Sequence, residues 1–326
     1  MKIARNFSIA MTLVCVACNA CAGGAVERGI FDSPALGVKK AYRIYLPEGY
    51  TNGNQRYPVI YLLHGWGVTE DAWVSPDLDL PRAADAMRLH SIVVMPDGDR
   101  SFYANFVTQP DYEQCLKEVN PRKNRNEKRE DYCVRRANYE DYIVYDLVKF
   151  VDSKYRTVAT RQGRALTGES AGGAGAMQIA MRHKEVFSSA ASHSGGVARL
   201  YEGPRPYDRT KVKLRSDFSS YPPGMQELIP IFGTNIKTWR SYDPPTLAEG
   251  LRDGDLALYF DCGQQDETGG YEMARYLHDR LTELGISHDF KPVPGHHNDE
   301  FFKQRMKFSL AFHVAQFTAA GVYPTK

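Results

Sequence analysis

The sequence predicts a single α/β domain in which helices cover both faces of a mostly parallel sheet. Short, nearly continuous apolar runs alternate along the chain with longer amphipathic patterns, and such runs are typical of strands that are buried on both faces of a sheet. No internal repeat or low-complexity tract interrupts the alternation. With 326 residues, of which 43% are hydrophobic, the chain has enough apolar material for a sizeable core.

Seven short apolar runs bounded by turn residues are the predicted strands: residues 41–47, 58–65, 91–98, 164–170, 188–195, 256–263 and 288–295. Three longer segments are predicted helices, because their apolar residues recur on one helical face: residues 139–155, 271–284 and 302–317. Gly285, directly after the second of these helices, is a stop signal. Two long segments do not fit the alternation, and we expect residues 101–138 and 198–255 to be insertions beside one end of the sheet.

The first 22 residues have the pattern of a secretory signal peptide. Lys2 and Arg5 precede an uncharged, mostly apolar run that is too short to span a bilayer comfortably. The small residues at positions 20 and 22 suit signal peptidase and predict a mature domain of residues 23–326, secreted or periplasmic, without a stable membrane span. An N-terminal membrane anchor and a lipoprotein are the alternatives. The segment holds two of the 41 basic residues and no acidic one, which leaves 39 of each sign, so no electrostatic nucleic-acid partner is predicted.

Three of the six cysteines remain after the predicted signal. Cys115 and Cys133 flank a polar, charged stretch, and in an oxidising compartment we expect them to form a disulfide that closes this loop. Two unpaired surface thiols are the alternative. Cys262 lies within an apolar run and is predicted to be a buried strand residue.

The stretch Gly168-Glu169-Ser170-Ala171-Gly172 matches the pattern G-x-S-x-G. The pattern alone is weak, but here a predicted strand precedes it and a helix-compatible segment follows, which is the strand–turn–helix setting of a catalytic serine. The flanking glycines would allow a sharp turn that a β-carbon obstructs. The sequence therefore predicts that Ser170 is a nucleophile, with a bystander serine in a glycine-rich turn as the alternative.

A serine nucleophile needs a base, and the base needs a carboxylate to orient it. Candidates follow Ser170 in the chain order Ser, Asp, His that this strand–turn–helix setting calls for. Asp261 and Asp266 lie at the end of one predicted strand, and His296 and His297 follow the next. Because Asp266 lies in the loop beyond its strand, it is better placed than Asp261 to reach an imidazole. His193 precedes any suitable acid and is interpreted as a structural or pocket-lining residue.

An acyl-transfer reaction also needs hydrogen-bond donors that are fixed before the oxyanion forms. The run "YLLHGWG" ends a predicted strand in the position of the loop that supplies one donor. We expect the backbone N–H groups of Trp66 and Ala171 to be these donors, and an ordinary glycine turn is the alternative for the first. The clustered residues 296–300 lack zinc-site spacing, so no metal and no cofactor is predicted.

With these residues in hand, the sequence resembles the esterase D-like branch of the α/β-hydrolases. That branch includes S-formylglutathione hydrolases, tributyrin esterases, feruloyl and acetyl-xylan esterases, and mycolyltransferases. The likeness extends from about Ala41 to Phe317, and its carriers are "YLLHGWG", "VVMPDGDRSFY", "YEDYIVYDLVKFVDSKYRT", "LTGESAGG", "LYFDCGQQDE" and "PGHHNDEFF".

The resemblance implies an α/β-hydrolase fold and assigns the site. Ser170 corresponds to the nucleophile, Asp266 to the acid, and His297 to the base, because the family pattern is Pro-Gly-small-His. His296 occupies the small-residue position, which is a departure from that pattern. Ala171 stands where the family usually has Met, which does not matter for a backbone donor. The charged segment between Cys115 and Cys133 is an addition to the family pattern.

These observations predict a secreted or periplasmic serine carboxylesterase that needs no cofactor. An acyltransferase with the same triad is one alternative, and a non-catalytic cell-envelope binding protein on a hydrolase scaffold is another. The expected substrate is a small-molecule or carbohydrate-linked ester. Four aromatic residues are candidates for an aromatic acyl or sugar pocket, with ordinary packing as the alternative: Trp66, Phe102, Tyr103 and Trp239.

Overall fold

The structure, a computed structural model, describes residues 23–118, 129–218 and 226–324. The predicted signal segment lies outside the described residues. The strands are β1 Ala25–Ser33, β2 Val38–Leu46, β3 Val59–Leu63, β4 Ile92–Pro96, β5 Arg164–Glu169, β6 Ser189–His193, β7 Tyr201–Gly203, β8 Lys213–Leu214, β9 Ala257–Gly263 and β10 Asp289–Val293. All seven predicted strands are confirmed. Strands β1, β7 and β8 were not among the predicted strands.

Within the described residues, eight strands form the central sheet in the order β1-β2-β4-β3-β5-β6-β9-β10, and β7 and β8 form a separate ribbon. The strands from β4 to β10 in that order are parallel, whereas β1 and β2 pair antiparallel at one edge. The predicted mostly parallel sheet is therefore confirmed.

The helices are α1 Leu80–Ala86, α2 Tyr112–Cys115, α3 Arg129–Tyr132, α4 Tyr139–Asp141, α5 Val148–Lys154, α6 Ser170–Arg182, α7 Ile229–Phe232, α8 Ile236–Ser241, α9 Pro244–Leu247, α10 Gly270–Glu283 and α11 Asp299–Ala319. The helices predicted at residues 271–284 and 302–317 are α10 and α11. The helix predicted at residues 139–155 is present but not uniform, because a π-helical segment, Tyr142–Leu147, joins α4 to α5. Apolar spacing along a sequence does not reveal such a wide turn.

Two apolar clusters cover the two faces of the sheet, and β3 shows how one strand serves both. Tyr61 and Leu63 belong to the cluster that includes residues of α6 and α10, whereas Ile60 and Leu62 belong to the cluster with α1 and α11. Successive side chains of a strand point to opposite faces. Because both faces are covered, every position of β3 is apolar and buried.

The described parts of the two predicted insertions pack against each other. Backbone hydrogen bonds join Val107 to Ile231 and Thr108 to Pro230. A third apolar cluster lies between them and includes Phe218, Phe232 and Trp239, with Trp66 and Phe102 packed against it. Cys115 and Cys133 form a disulfide, and Cys262 is buried as expected. No helix among the described residues is long and apolar enough to cross a membrane.

Candidate active site

The predicted nucleophile lies at the tip of a strained turn. Ser170 follows the last residue of β5 and begins α6, and its φ is 49°. A left-handed conformation is costly for any residue with a β-carbon and is found mainly where the surroundings enforce it. Ser170 is nevertheless partly exposed, while the rest of β5 from Ala165 onward is buried. The turn thus presents a single hydroxyl at the carboxyl edge of the sheet.

Close packing explains the flanking glycines. A β-carbon at Gly172 would lie 2.3 Å from the carbonyl oxygen of Leu63, and one at Gly168 would lie 2.5 Å from the carbonyl carbon of Gly172. Both contacts are with backbone atoms that cannot move aside. The sharp entry into α6 therefore depends on these two glycines, as the motif predicts.

His297 joins Ser170 to Asp266. Its Nε2 lies 2.9 Å from Ser170 Oγ, and its Nδ1 lies 2.9 Å from Asp266 Oδ2. In the neutral imidazole that suits both contacts, Nδ1–H donates to the carboxylate and Nε2 accepts from the hydroxyl. The three residues follow β5, β9 and β10, whose carboxyl ends lie at one edge of the sheet.

The sequence alternatives lie elsewhere. The side chain of His296 is 65% exposed, and its Nδ1 is 3.8 Å from Glu267. Asp261 lies within β9 and accepts hydrogen bonds from Tyr259 and Arg305 rather than from His297. The geometry therefore favours Asp266 and His297 as the acid and the base.

The electrostatics of this pair suit an imidazole that becomes charged during reaction. Burial disfavours the ionised form of Asp266, but hydrogen bonds from His297 and from Thr268 hold the pKa of this carboxyl well below its usual range. Thr268 donates twice to Asp266 Oδ1, through its N–H at 2.9 Å and its hydroxyl at 2.5 Å. Burial also opposes the charged form of His297, but the hydrogen bond and charge of Asp266 outweigh it and raise the pKa of His297.

The two predicted oxyanion donors lie on elements that border Ser170. Ala171 is a buried residue at the start of α6, where the helix dipole favours negative charge. Trp66 belongs to the turn after β3, and this turn passes close to the serine, since a β-carbon at Gly65 would lie 3.5 Å from Ser170 Cβ. The N–H of Gly65 donates to Glu169 Oε1 at 3.2 Å.

The aromatic candidates divide into two groups. Trp66 and Phe102 are partly exposed, with ring centroids 5.1 Å apart. Trp239 is buried among Phe218 and Phe232 but lines a cavity of about 160 Å³ that Thr268 also borders. Trp66 and Phe102 pack against the apolar cluster that contains Trp239.

The expectation that Tyr103 lines a substrate pocket is not met. Tyr103 is only 1% exposed, and its hydroxyl donates to the backbone carbonyl of His64 at 3.0 Å. It packs against α6, where a β-carbon at Gly175 would lie 2.6 Å from its ring. Through its hydrogen bond to His64, Tyr103 contacts the turn after β3 from within the core.

A second Ser–His–Asp array lies inside the domain. His193 Nδ1 is 2.9 Å from Asp261 Oδ1, and His193 Nε2 is 2.8 Å from Ser309 Oγ. His193 and Asp261 are neighbours in the register of β6 and β9, and Ser309 projects from α11. His193 is therefore a structural residue, as the sequence predicts. Among the described residues, no group of three or more His, Cys, Asp or Glu could hold a metal ion.

The sequence analysis did not single out two residues that touch the site. Thr268 holds Asp266, and an oxygen-bearing side chain two residues after an acid is the short-range signal for such a contact. Glu169 is 4% exposed and contacts Gly65, 104 positions earlier in the chain. A carboxylate within the predicted strand, directly before the motif serine, is the signal in that case.

Comparisons with known proteins agree on a family. The model of the Esterase family matches residues 33–313. The Rv1288 esterase of Mycobacterium tuberculosis is 31% identical over 166 residues, which are 51% of this chain and 31% of that protein. An endo-1,4-beta-xylanase/feruloyl esterase of Xylanibacter ruminicola is 29% identical over 182 residues, 53% of this chain and 22% of that protein. The matches thus span about a third or less of the length of these relatives.

Solved structures agree on the fold. A ferulic acid esterase superposes with a TM-score of 0.66 at 18% identity, covering 90% of this chain and 99% of that one. This likeness confirms the α/β-hydrolase fold that the resemblance implied. Because the family model covers most of the chain, we conclude that this protein belongs to the Esterase family.

Proposed function

We propose that this chain is an exported serine carboxylesterase, which hydrolyses carboxylic esters through an acyl-enzyme on Ser170. The observation that carries the proposal is the position of His297, 2.9 Å from Ser170 Oγ on one side and 2.9 Å from Asp266 on the other. A base within hydrogen-bond reach of a hydroxyl, itself oriented by a carboxylate, is the arrangement that activates serine.

The proposed reaction has two halves. His297 takes the proton of Ser170 as Oγ attacks the ester carbonyl, and the N–H groups of Trp66 and Ala171 stabilise the oxyanion. The tetrahedral intermediate collapses, the C–O bond to the alcohol breaks, and the imidazolium of His297 protonates the departing oxygen. Water then attacks the acyl-enzyme with His297 again as base, which releases the acid and restores the Ser170 hydroxyl.

Two features support export to an oxidising compartment. Residues 1–22 have the charge and hydropathy pattern of a signal peptide. The disulfide between Cys115 and Cys133 is of a kind that persists outside the reducing cytosol. A secreted or periplasmic location follows from the two together.

We propose a small-molecule or carbohydrate-linked ester as the substrate, with an acyl group that contacts aromatic side chains. The partly exposed pair of Trp66 and Phe102 and the cavity beside Trp239 support this choice. A relative of this chain is named a feruloyl esterase, and so is a structural neighbour. A panel of esters that vary in acyl length and aromaticity identifies the preferred group.

The decisive variant is Ser170→Ala, assayed on p-nitrophenyl acetate with folding checked by circular dichroism. We expect turnover to fall by about 10⁴-fold or more, because the residual rate over water comes from binding and oxyanion donors alone. Undiminished turnover would contradict the proposal.

The matched pair His297→Ala and His296→Ala tests the base, since only the first is expected to lose activity. An added alcohol that becomes acylated in place of water would indicate a transferase.

A further inference from the structure

Glu169 is a buried carboxyl directly before the proposed nucleophile. It is the last residue of β5 and only 4% exposed. Its side chain does not cap α6, the helix that starts at the next residue. A carboxyl group is costly to bury unless a specific interaction needs it, so its partners indicate what it does.

The two carboxyl oxygens of Glu169 differ in their surroundings. Oε1 accepts a hydrogen bond from the N–H of Gly65 at 3.2 Å. Oε2 is buried and has no hydrogen-bond partner among the described residues. A leucine of similar size would fill the same space without the cost of desolvating two carboxyl oxygens. Packing alone therefore does not explain a glutamate at this position. The hydrogen bond to Gly65 is what distinguishes it from an apolar side chain.

Gly65 lies immediately before Trp66, the proposed oxyanion donor. Its backbone passes so close to the turn after β5 that a β-carbon on Gly65 would be 3.2 Å from Glu169 Oε1 and 3.5 Å from Ser170 Cβ. Glycine is the residue with the greatest backbone freedom. The contact from Glu169 therefore fixes a turn that would otherwise tolerate several orientations of the next peptide plane.

We propose that Glu169 is a positioning residue: its carboxyl anchors the N–H of Gly65 and thereby holds the N–H of Trp66 in place to receive the oxyanion. The inference rests on the proposed esterase function. It assigns to one side chain the link between the nucleophile turn after β5 and the oxyanion turn after β3, which lie 104 residues apart in the chain.

The charge of Glu169 gives this role a second signature. Burial raises the pKa of Glu169 to about 7, and the charge of Asp299 adds to this, whereas the Gly65 hydrogen bond and His297 oppose it. Tyr103 also faces the carboxyl, and the charge of Glu169 contributes to the raised pKa of that phenol. Ionised Glu169 in turn helps to raise the pKa of His297. Removing the charge should therefore lower the pKa of the base.

The test compares Glu169→Leu and Glu169→Gln with the same changes at Glu70. Glu70 is a matched control, because it is 2% exposed, has a raised pKa and also leaves Oε2 without a described partner. For Glu169→Leu we expect kcat to fall about 10- to 100-fold with KM within about threefold, and a cooperative thermal unfolding transition shows that the variant is folded.

The glutamine variant separates anchoring from charge. Its amide oxygen can still accept from Gly65, so we expect kcat within about threefold of the wild type. The acidic limb of kcat/KM should move to lower pH, because the anion that favoured protonated His297 is gone. Both Glu70 variants should keep the wild-type kcat and pH profile.

Two results would overturn the inference: wild-type kcat in folded Glu169→Leu, or equal impairment of the leucine and glutamine variants. If Glu169→Leu does not fold, Glu169→Met takes its place, because methionine also fills the site without an oxygen that can accept from the N–H of Gly65. These outcomes are separate from failure of the proposed function, which would appear as full activity in Ser170→Ala.

Discussion

Two Ser–His–Asp arrays in this domain have nearly the same hydrogen-bond distances but different surroundings. In the edge array, Ser170–His297–Asp266, the histidine lies 2.9 Å from both partners. In the buried array, Ser309–His193–Asp261, the corresponding distances are 2.8 and 2.9 Å. Distances within the array therefore do not identify a nucleophile, and the difference must come from what surrounds each serine.

The backbones of the two serines differ most. Ser170 has a φ of 49° at the tip of a turn and is partly exposed. Ser309 lies within α11, is 0% exposed, and donates to the carbonyl of Met306 at 2.9 Å, one helical turn back. Only Ser170 combines access for an ester with a helix N-terminus at its back. Strain and access, rather than the hydrogen-bonded relay, therefore distinguish Ser170 from Ser309.

The carboxylates differ in the charges that they meet. Asp261 pairs with Arg305 at 2.9 Å and also accepts from Tyr259 at 2.8 Å. Among the described residues, Asp266 forms an ion pair with His297 and with no lysine or arginine. Its charge is thus available to stabilise an imidazolium during reaction, whereas the charge of Asp261 is already neutralised by a permanent cation.

Among variants of the two arrays, we expect the largest loss of activity from Asp266→Asn. Loss of the charge and of the correct tautomer of His297 should lower kcat by about 10³- to 10⁴-fold, with little change in KM. Steady-state kinetics on p-nitrophenyl acetate measure it. A loss of less than tenfold would show that Asp266 does not act on the base.

The counterpart Asp261→Asn should affect stability instead of catalysis. It leaves Arg305 and His193 without their anion, and removal of one partner from a buried ion pair costs about 3 kcal/mol. Urea unfolding gives the free energy, and kcat of the folded fraction should stay within about threefold of the wild type. A loss of kcat as large as that of Asp266→Asn would contradict the assignment of catalysis to the edge array alone.

The pH dependence should follow the edge array. The proposed mechanism requires neutral His297, whose pKa is raised above 6.5, so kcat/KM should rise about tenfold per pH unit below that raised pKa and level off above it. The same shift also stabilises the folded state. This stabilisation is fully present below pH 6.5 and is lost as the pH rises through the pKa of His297 in the folded protein. Activity and the His297 contribution to stability should thus change in opposite directions. An acidic limb of kcat/KM with its midpoint below pH 6.5 would contradict a raised pKa of His297.

The smallest expected effect is that of Ser309→Ala. It removes one buried hydrogen bond to His193 and should cost about 1 to 2 kcal/mol of stability, with kcat/KM within about twofold of the wild type. Thermal unfolding and steady-state kinetics on one preparation measure both quantities. Loss of activity without loss of stability would assign the buried array a catalytic task.

The sequence predicted the strands of the sheet because burial on both faces leaves a continuous apolar run, as in β3. It missed β1, an edge strand whose side chains are mostly exposed. The residues alone favoured Asp266 over Asp261, because Asp266 lies in the loop beyond its strand. They could not decide between the adjacent His296 and His297, and the likeness to the esterase D-like branch supplied that choice.

Two other features of the site depend on the backbone path. Phe102 and Tyr103 are adjacent and both have positive φ, yet one is partly exposed and the other is buried beneath the site. The sequence gives no sign that these two adjacent side chains differ in exposure. Glu169 was missed because its partner Gly65 becomes its neighbour only when β3 and β5 pair.

Covalent labelling with a fluorophosphonate, followed by peptide mass spectrometry, distinguishes the two serines in one experiment. The probe reports on both arrays at once, since both contain a serine beside a histidine. We predict one label per chain, on Ser170, that is abolished in Ser170→Ala and retained in Ser309→Ala. Labelling of Ser309, or no labelling of the folded wild-type protein, would contradict the account.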